Sequence, residues 1–162
     1  MLGIKNYEPN FFSDTTELIK QHAQHLRILI GTKLEGIWTV HEATDGEIWA
    51  DCPVILGIGG KQVELCSFKD GFSITWNKID IKKKLNWYGS EELHLVWEKN
   101  RVEDLSINLG KQIKEIEIIE TSPGSLHGIG FQMGSSYFSV FNGFDETQFS
   151  YERDKDLLYT KL

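Results

Sequence analysis

One pattern of apolar residues occurs twice in this chain, and the second copy follows the first after an interval of 75 residues. The two copies, at residues 54–76 and 129–151, align without a gap. Apolar side chains match at Val54 and Ile129, Leu56 and Phe131, Ile58 and Met133, Val63 and Phe138, Leu65 and Val140, Ile74 and Phe149, and Trp76 and Tyr151. Within each copy these positions alternate with a period of two, which is typical of strands that bury one face.

A glycine-led run precedes each copy and continues the match. Residues 31–42 and 110–121 carry apolar side chains at corresponding positions. The repeat therefore predicts two four-stranded antiparallel meanders, at residues 33–76 and 111–151. Since neither meander can cover its own apolar face, we expect the two to pack together as a β-sandwich or as a closed barrel.

A single helical pattern lies ahead of the repeat, at residues 14–30. Its apolar stripe has spacings of four, three and four residues and consists of Ile19, Ala23, Leu26 and Ile30. Asp14 and Glu17 form an acidic variant of a capping box, and Gly31 supplies the left-handed stop. We expect this helix to pack on a sheet through its stripe. The predicted class is mainly β (α+β), and 162 residues suit one domain, residues 1–162.

The connector between the copies, residues 77–109, contains a further strand pattern and an aromatic pair. The strand pattern consists of Leu93, Leu95 and Trp97. The aromatic pair is Trp87 and Tyr88, which precede a turn. Tyr and Trp are favoured at binding surfaces because they offer a large contact area at a small cost in conformational entropy.

The charge of the chain limits its partners. A net charge of −7 and a pI near 5.2 argue against nucleic-acid binding, which depends on clustered Lys and Arg. The one basic run, residues 82–84, is interpreted as a solvated loop. An acidic surface suits solubility or a basic protein partner.

The sequence lacks the features of a secreted or membrane protein. Its first residues have neither the basic start nor the long apolar middle of a secretion signal. No stretch approaches the roughly 18 consecutive apolar residues of a membrane-spanning helix. We therefore predict a cytoplasmic protein that does not bind a membrane.

The chain contains no phosphate-binding glycine loop and no CxxC, HExxH or GxSxG motif. We therefore predict no catalytic residue, metal ligand or cofactor. The sequence leaves open whether His22, His25, His41 or His127 binds a metal. Cys52 and Cys66 are expected to face opposite sides of a sheet and to remain unbonded.

The stretch HEATDGEIWADCP, residues 41–53, groups four carboxylates with a tryptophan. We interpret it mainly as the solvated bend between two strands, because Asp45-Gly46 is a strong turn dipeptide. Together with the aromatic pair, it supplies the candidate partner-binding residues: Asp45, Glu47, Trp49, Asp51, Trp87 and Tyr88. The rings would anchor a partner and the carboxylates would attract it.

These features favour a noncatalytic protein-binding module over two other functions. Such a module would neutralise a basic partner protein, as an immunity protein does. The alternative is a small-ligand barrel with a cavity lined by Trp38, Trp76, Phe131, Phe138 and Tyr151. The third is a metal-assisted enzyme, in which His41 or His127 acts with carboxylates of the acidic stretch. The oligomeric state and the identity of a partner do not follow from the sequence.

Three segments carry a resemblance to known proteins, and they read DCPVILGIGGKQVEL, FSITWNKIDI and FNGFDE. The chain resembles small bacterial proteins of similar length to which no activity is assigned. The shared features are strand and turn patterns, so the resemblance implies no site residue, cofactor or partner.

Overall fold

Two antiparallel sheets of five strands each form the body of the protein in the computed structural model, which describes residues 1–162. The first sheet consists of β1 (Leu34–Glu42), β2 (Val54–Ile58), β3 (Lys61–Phe68), β4 (Gly71–Trp76) and β5 (Leu95–Lys99). The second sheet consists of β6 (Glu115–Ser122), β7 (Ser125–Met133), β8 (Ser136–Gly143), β9 (Glu146–Ser150) and β10 (Leu158–Lys161). The strand orders are β4-β3-β2-β1-β5 and β10-β6-β7-β8-β9, so the two sheets have the same topology.

The positions of the strands follow the sequence repeat. β3 and β8 begin 75 residues apart, and so do β4 and β9. Most of the apolar residues that match in sequence lie between the sheets, in one core of 23 buried residues. The mainly β class and the β-sandwich architecture are confirmed, whereas the sheets do not close into a barrel.

The fifth strand of each sheet extends the predicted meander. β5 lies in the connector, at the strand pattern predicted there, and pairs antiparallel with β1. β10 pairs with β6 in the same way. No sequence pattern predicted β10, because its side chains are mostly exposed and show no buried alternation.

Helix α1 (Thr15–Leu29) agrees with the predicted helix to within one residue at each end. The Asp14 carboxylate accepts a hydrogen bond from the backbone amide of Glu17 at 3.1 Å, so the predicted cap is present. Gly31 follows the helix with a φ of +88°.

A single helical turn, α2 (Glu103–Ser106), lies in the connector. No helix is both long and apolar enough to cross a membrane.

The face that α1 buries differs slightly from the predicted stripe. Its buried apolar residues are Leu18, Ala23, Leu26 and Leu29. Ile19 and Ile30, which belonged to the predicted stripe, are only partly buried. The start of the helix is fixed by a backbone hydrogen bond from Thr15 to the carbonyl of Gly124, at 3.0 Å. This tertiary contact helps to set which face turns inward, and helical spacing alone does not contain it.

Aromatic side chains of the predicted ligand cavity lie in different places. Phe131 and Phe138 are fully buried in the core, and their ring centroids are 5.0 Å apart. Trp38 packs on the outer side of the first sheet, Trp76 contacts α1, and Tyr151 is exposed. The prediction that these five side chains line one cavity is therefore wrong, because strand alternation and the end of β9 separate them.

A second group of apolar side chains, the outer cluster, covers the outer face of the first sheet. Its ten buried residues are Leu2, Ile4, Tyr7, Val40, Cys52, Ile55, Cys66, Ile79, Leu85 and Leu95. Cys52 and Cys66 therefore lie on the same side, and the prediction that they face opposite sides is wrong. Cys52 precedes β2, so the alternation of that strand does not set its direction. Both thiols are free, and burial raises the pKa of Cys66 to about 12.

Buried carboxylates tie two connecting segments to the sheets. Glu64 in β3 is fully buried and accepts hydrogen bonds from the amides of Lys78 (2.7 Å) and Ile79 (3.1 Å). These bonds hold the start of the connector. In β6, the buried Glu117 carboxylate accepts two hydrogen bonds from the Arg153 guanidinium, at 2.9 and 3.0 Å. This bidentate pair holds the segment between β9 and β10.

Candidate functional site

An open groove of about 670 Å³, which we call the acidic groove, lies beside the acidic stretch. Six carboxylate side chains belong to its lining: Glu42, Asp45, Glu47, Asp51, Glu92 and Glu146. None of its 11 lining residues is Lys, Arg or His. Because Glu146 begins β9, the groove combines carboxylates from both halves of the repeat.

The wall of the groove is a loop that folds back on β1. The amide of Trp49 donates to the carbonyl of Val40 at 2.8 Å. The Asp45 carboxylate accepts from the amide of Glu47 at 2.9 Å, and Gly46 has a φ of +79°. The bend predicted at Asp45-Gly46 is therefore present, and an Asx turn stabilises it.

The buried side chain of His41 stabilises this bend through a hydrogen bond. Its buried imidazole places Nδ1 3.0 Å from the carbonyl oxygen of Gly46 and Nε2 2.8 Å from the hydroxyl of Thr39. Since a carbonyl oxygen can only accept, Nδ1 donates and Nε2 accepts from the hydroxyl. Both ring nitrogens are thus occupied by hydrogen bonds that support the loop, and His41 does not line the acidic groove.

Glu42 organises the same loop through its carboxylate. It accepts hydrogen bonds from the amide and hydroxyl of Thr44 (2.7 and 3.1 Å), the amide of Asp45 (3.3 Å) and the amide of His94 (3.3 Å). Desolvation acts to raise the pKa of Glu42, but these hydrogen bonds outweigh it and hold the pKa below its usual value. Glu42 therefore keeps a negative charge that helps to line the groove.

Asp51 and Glu146 bring like charges together from different halves of the chain. Partial burial and the charge of Glu146 raise the pKa of Asp51. None of the four salt bridges in the protein involves a lining carboxylate. Arg101 lies beside Gly46 but pairs with Glu98, at 2.8 Å. The groove therefore carries negative charge that no neighbouring cation compensates through an ion pair.

Of the three predicted aromatic residues, only Trp49 lines the groove. Trp49 lines the groove and packs edge-on against Trp87, with ring centroids 5.5 Å apart. Both rings are half-buried against the outer cluster, and the indole nitrogen of Trp49 is buried without a hydrogen-bond partner. Tyr88 packs edge-on against Trp87 at 5.0 Å and is 69% exposed. Trp87 and Tyr88 do not line the groove.

The structure therefore brings only some of the predicted site residues together in the groove. Four of them share the groove: Asp45, Glu47, Trp49 and Asp51. Sequence reasoning missed Glu42, Glu92 and Glu146 as members of the same surface. Glu42 is in the predicted acidic stretch, but Glu92 comes from the connector and Glu146 from the second half. No local pattern joins Glu92 and Glu146 to residues 41–53, because only tertiary packing brings them there.

The remaining histidines have other neighbours. The ring nitrogen Nδ1 of His22 accepts a hydrogen bond from the indole of Trp76 at 3.2 Å, and the His25 ring lies 5.5 Å from that indole. Burial and the neighbouring His25 lower the pKa of His22. His127 stacks on Phe141 at 4.8 Å. No three His, Cys, Asp or Glu side chains are arranged to hold one metal ion.

The fold and the site together define a β-sandwich with an acidic surface groove at the junction of its two halves. Comparison of the chain with protein-family models, curated proteins and solved structures found no match. The resemblance to small bacterial proteins therefore stays a prediction.

Proposed function

We propose that this protein is a noncatalytic binding module, immunity-like in character, whose acidic groove receives a basic segment of a partner protein. The observation that carries the proposal is the composition of the groove, in which six carboxylates and no cation stand among 11 lining residues. Trp49 in the same lining offers a ring against which a Lys or Arg side chain can pack. We expect the module to act in the cytoplasm.

Repulsion within the groove supports a cationic partner. Partial burial and the charge of Glu146 already raise the pKa of Asp51, and a Lys or Arg placed between the two carboxylates would replace this repulsion with attraction. Because the groove is open to solvent, the attraction should act mainly on the association rate and should weaken with added salt.

The hydrogen-bonded frame of the groove supports binding rather than catalysis. Glu42 and His41 both use their polar atoms to hold the loop, so the wall is organised before a partner arrives. A preorganised surface loses little conformational entropy on binding. A volume of about 670 Å³ accommodates several side chains of a partner, which suits a protein segment better than a single ion.

Heptalysine peptide serves as the first probe of this proposal. Three groove carboxylates are neutralised together, as Glu47→Gln, Asp51→Asn and Glu146→Gln. The matched control neutralises three exposed carboxylates outside the groove, as Glu8→Gln, Asp104→Asn and Glu152→Gln. Both variants change the net charge from −7 to −4, so they differ only in where the negative charge is removed.

Amide chemical shifts in an NMR titration locate the bound peptide. We expect heptalysine to shift residues 45–51 and Glu146, and we expect the groove variant to bind at least tenfold more weakly than the control variant. Equal losses in the two variants would show that the peptide responds to net charge alone, and the groove would then not be the binding site.

A further inference from the structure

Phe144 is the most exposed large apolar side chain of the protein, with 98% of its surface accessible. It occupies the two-residue turn between β8 and β9, where Gly143 pairs with Glu146. Both turn residues have positive φ, +55° at Phe144 and +71° at Asp145. Such turns favour Asn and Gly, and a bulky aromatic residue in this conformation is unusual. The ring is therefore displayed at a position where it gains no packing and where its backbone is strained.

The matching turn of the first sheet shows that the fold does not require an aromatic ring at this position. Lys69 stands between β3 and β4, 75 residues before Phe144, and has a φ of +52°. The left-handed backbone conformation at this turn therefore accepts a lysine, whose side chain is flexible and charged. What distinguishes Phe144 is the apolar ring that it presents to solvent.

The turn that carries Phe144 is fastened to the rest of the protein. The amide of Asp145 donates to the Asn142 side-chain oxygen at 3.1 Å. The Asn142 amide group in turn donates to the carbonyl oxygens of Lys69 (2.7 Å) and Gly71 (3.0 Å). These bonds lock the two matching turns together. Because these hydrogen bonds already hold the backbone of the turn, Phe144 loses little conformational freedom when it binds a partner.

Phe144 and the acidic groove belong to one surface. Glu146, two residues after Phe144, lines the groove. The amide of Thr147 donates to the carbonyl of Ala50 at 2.8 Å, which joins the start of β9 to the wall of the groove. Ile48 lines the same groove and is 41% exposed. The surface thus combines an isolated aromatic ring, a smaller apolar side chain and a set of carboxylates.

We propose that Phe144 is the hydrophobic anchor of a protein interface, and that it inserts into an apolar pocket on a basic partner whose Lys and Arg residues engage the acidic groove. This inference rests on the proposed function and adds the shape of the partner surface. Large aromatic side chains commonly dominate interface energies when they fill a pocket, and surrounding charges fix the orientation.

The charges around the ring favour a basic protein over two other occupants. Asp145 and Glu146 follow Phe144 directly in the chain, and an anionic membrane surface would repel both. A symmetric contact with a second copy would bring the same carboxylates of the two copies towards each other. A basic protein meets neither obstacle.

The test uses photo-cross-linking in the cell from which the gene comes. The photoreactive residue p-benzoylphenylalanine replaces Phe144 in one protein, Ile48 in a second and Ile107, which is 59% exposed and outside the groove, in a third. We expect positions 144 and 48 to cross-link to the same basic protein and position 107 not to. The protein so identified is then purified, and its affinity for the full chain and for variants is measured by calorimetry.

The decisive variants are Phe144→Asn and Lys69→Asn, which place a residue suited to positive φ at each of the matching turns. We expect Phe144→Asn to weaken binding by about 30-fold or more, as for other anchor residues, and Lys69→Asn to leave it unchanged. Since Asn is favoured in this backbone conformation, both variants should fold at least as well as the parent chain.

The other outcomes separate the anchor from the groove. A partner that cross-links at position 48 but binds Phe144→Asn normally overturns the anchor and leaves the proposed function standing. A partner that needs Phe144 but binds the triple groove variant normally overturns the proposed function and the placement of Lys and Arg residues in the groove, and it leaves only the anchor standing. Cross-links from position 144 to lipid, to a second copy or to nothing overturn the inference.

Discussion

The Nδ1 atom of His41 lies 3.0 Å from the carbonyl oxygen of Gly46, and this hydrogen bond joins β1 to the bend at Asp45-Gly46. On the other side of the ring, Nε2 accepts from the hydroxyl of Thr39 at 2.8 Å. The imidazole is buried, so a lost hydrogen bond here cannot simply be replaced by bulk water. The geometry of the groove wall therefore depends on a residue that does not line the groove.

The change His41→Phe should loosen this loop and destabilise the protein. It leaves the carbonyl of Gly46 and the hydroxyl of Thr39 without their partner, which costs about 1–3 kcal/mol of unfolding free energy. Urea denaturation measures the loss, and amide hydrogen exchange should be faster at Gly46 and Trp49. His94→Phe is the control, because His94 is exposed, and we expect it to stay within about 0.5 kcal/mol of the parent chain. Equal effects of the two changes would contradict the bracing role of His41.

Arg153→Met should destabilise the second sheet more than the loss of an ordinary surface ion pair. It leaves the Glu117 side chain, only 3% exposed, without its bidentate partner, and we expect a loss of about 3 kcal/mol. The control is Lys161→Met, which breaks a pair with Glu115 in which both side chains are exposed (63% and 39%). That change should cost less than about 1 kcal/mol. The same Arg153→Met change should cost less when Glu117→Gln is already present, and an undiminished cost would contradict the pairing.

The core of this protein was predictable because strand alternation and the repeat indicate the same positions. Val63 and Phe138, for example, match in sequence and are both fully buried in the core. The prediction failed where alternation ends or has no buried face. Cys52 lies just before β2, outside its regular alternation, and faces the outer cluster. β10 is mostly exposed and was missed.

The site was predictable only within the acidic stretch. The turn dipeptide Asp45-Gly46 correctly indicated the bend, and its neighbours Glu47 and Asp51 share the groove. Glu146 could not be assigned to this surface from sequence, because it lies in the other half of the repeat. Its position depends on how the two sheets pack, and alternation within a strand contains no information about that packing.

Asp51→Asn should stabilise the protein at neutral pH and not at acidic pH. Partial burial and the charge of Glu146 raise the folded-state pKa of Asp51. A carboxyl with a raised pKa destabilises the folded state above that pKa, and this cost disappears below the unfolded-state pKa of about 4. Because Asp51 is partly exposed, the gain at pH 7 should be about 0.5 kcal/mol or less.

Calorimetric melting of Asp51→Asn at a series of pH values measures this dependence. The gain over the parent chain should shrink as the pH falls towards about 3, where the Asp51 carboxyl is largely protonated in both the folded and the unfolded state. Glu146→Gln should produce part of the same gain, and the double variant should gain less than the sum of the two, because both changes remove the same repulsion. A gain that is constant across the series would contradict an electrostatic cause.

Phe144→Asn should raise the stability of the protein even though it removes the proposed anchor. The ring is 98% exposed, so its loss removes almost no packing, and Asn adopts the observed φ of +55° more readily than Phe. We expect the unfolding free energy to rise by about 0.5–1 kcal/mol, measured by urea denaturation. Lys69→Asn at the matching turn should give a similar gain, whereas Phe144→Ala should give a smaller one because the backbone strain remains. A loss of stability in Phe144→Asn would mean that the ring packs on the protein, and a packed ring is not free to enter a partner's pocket.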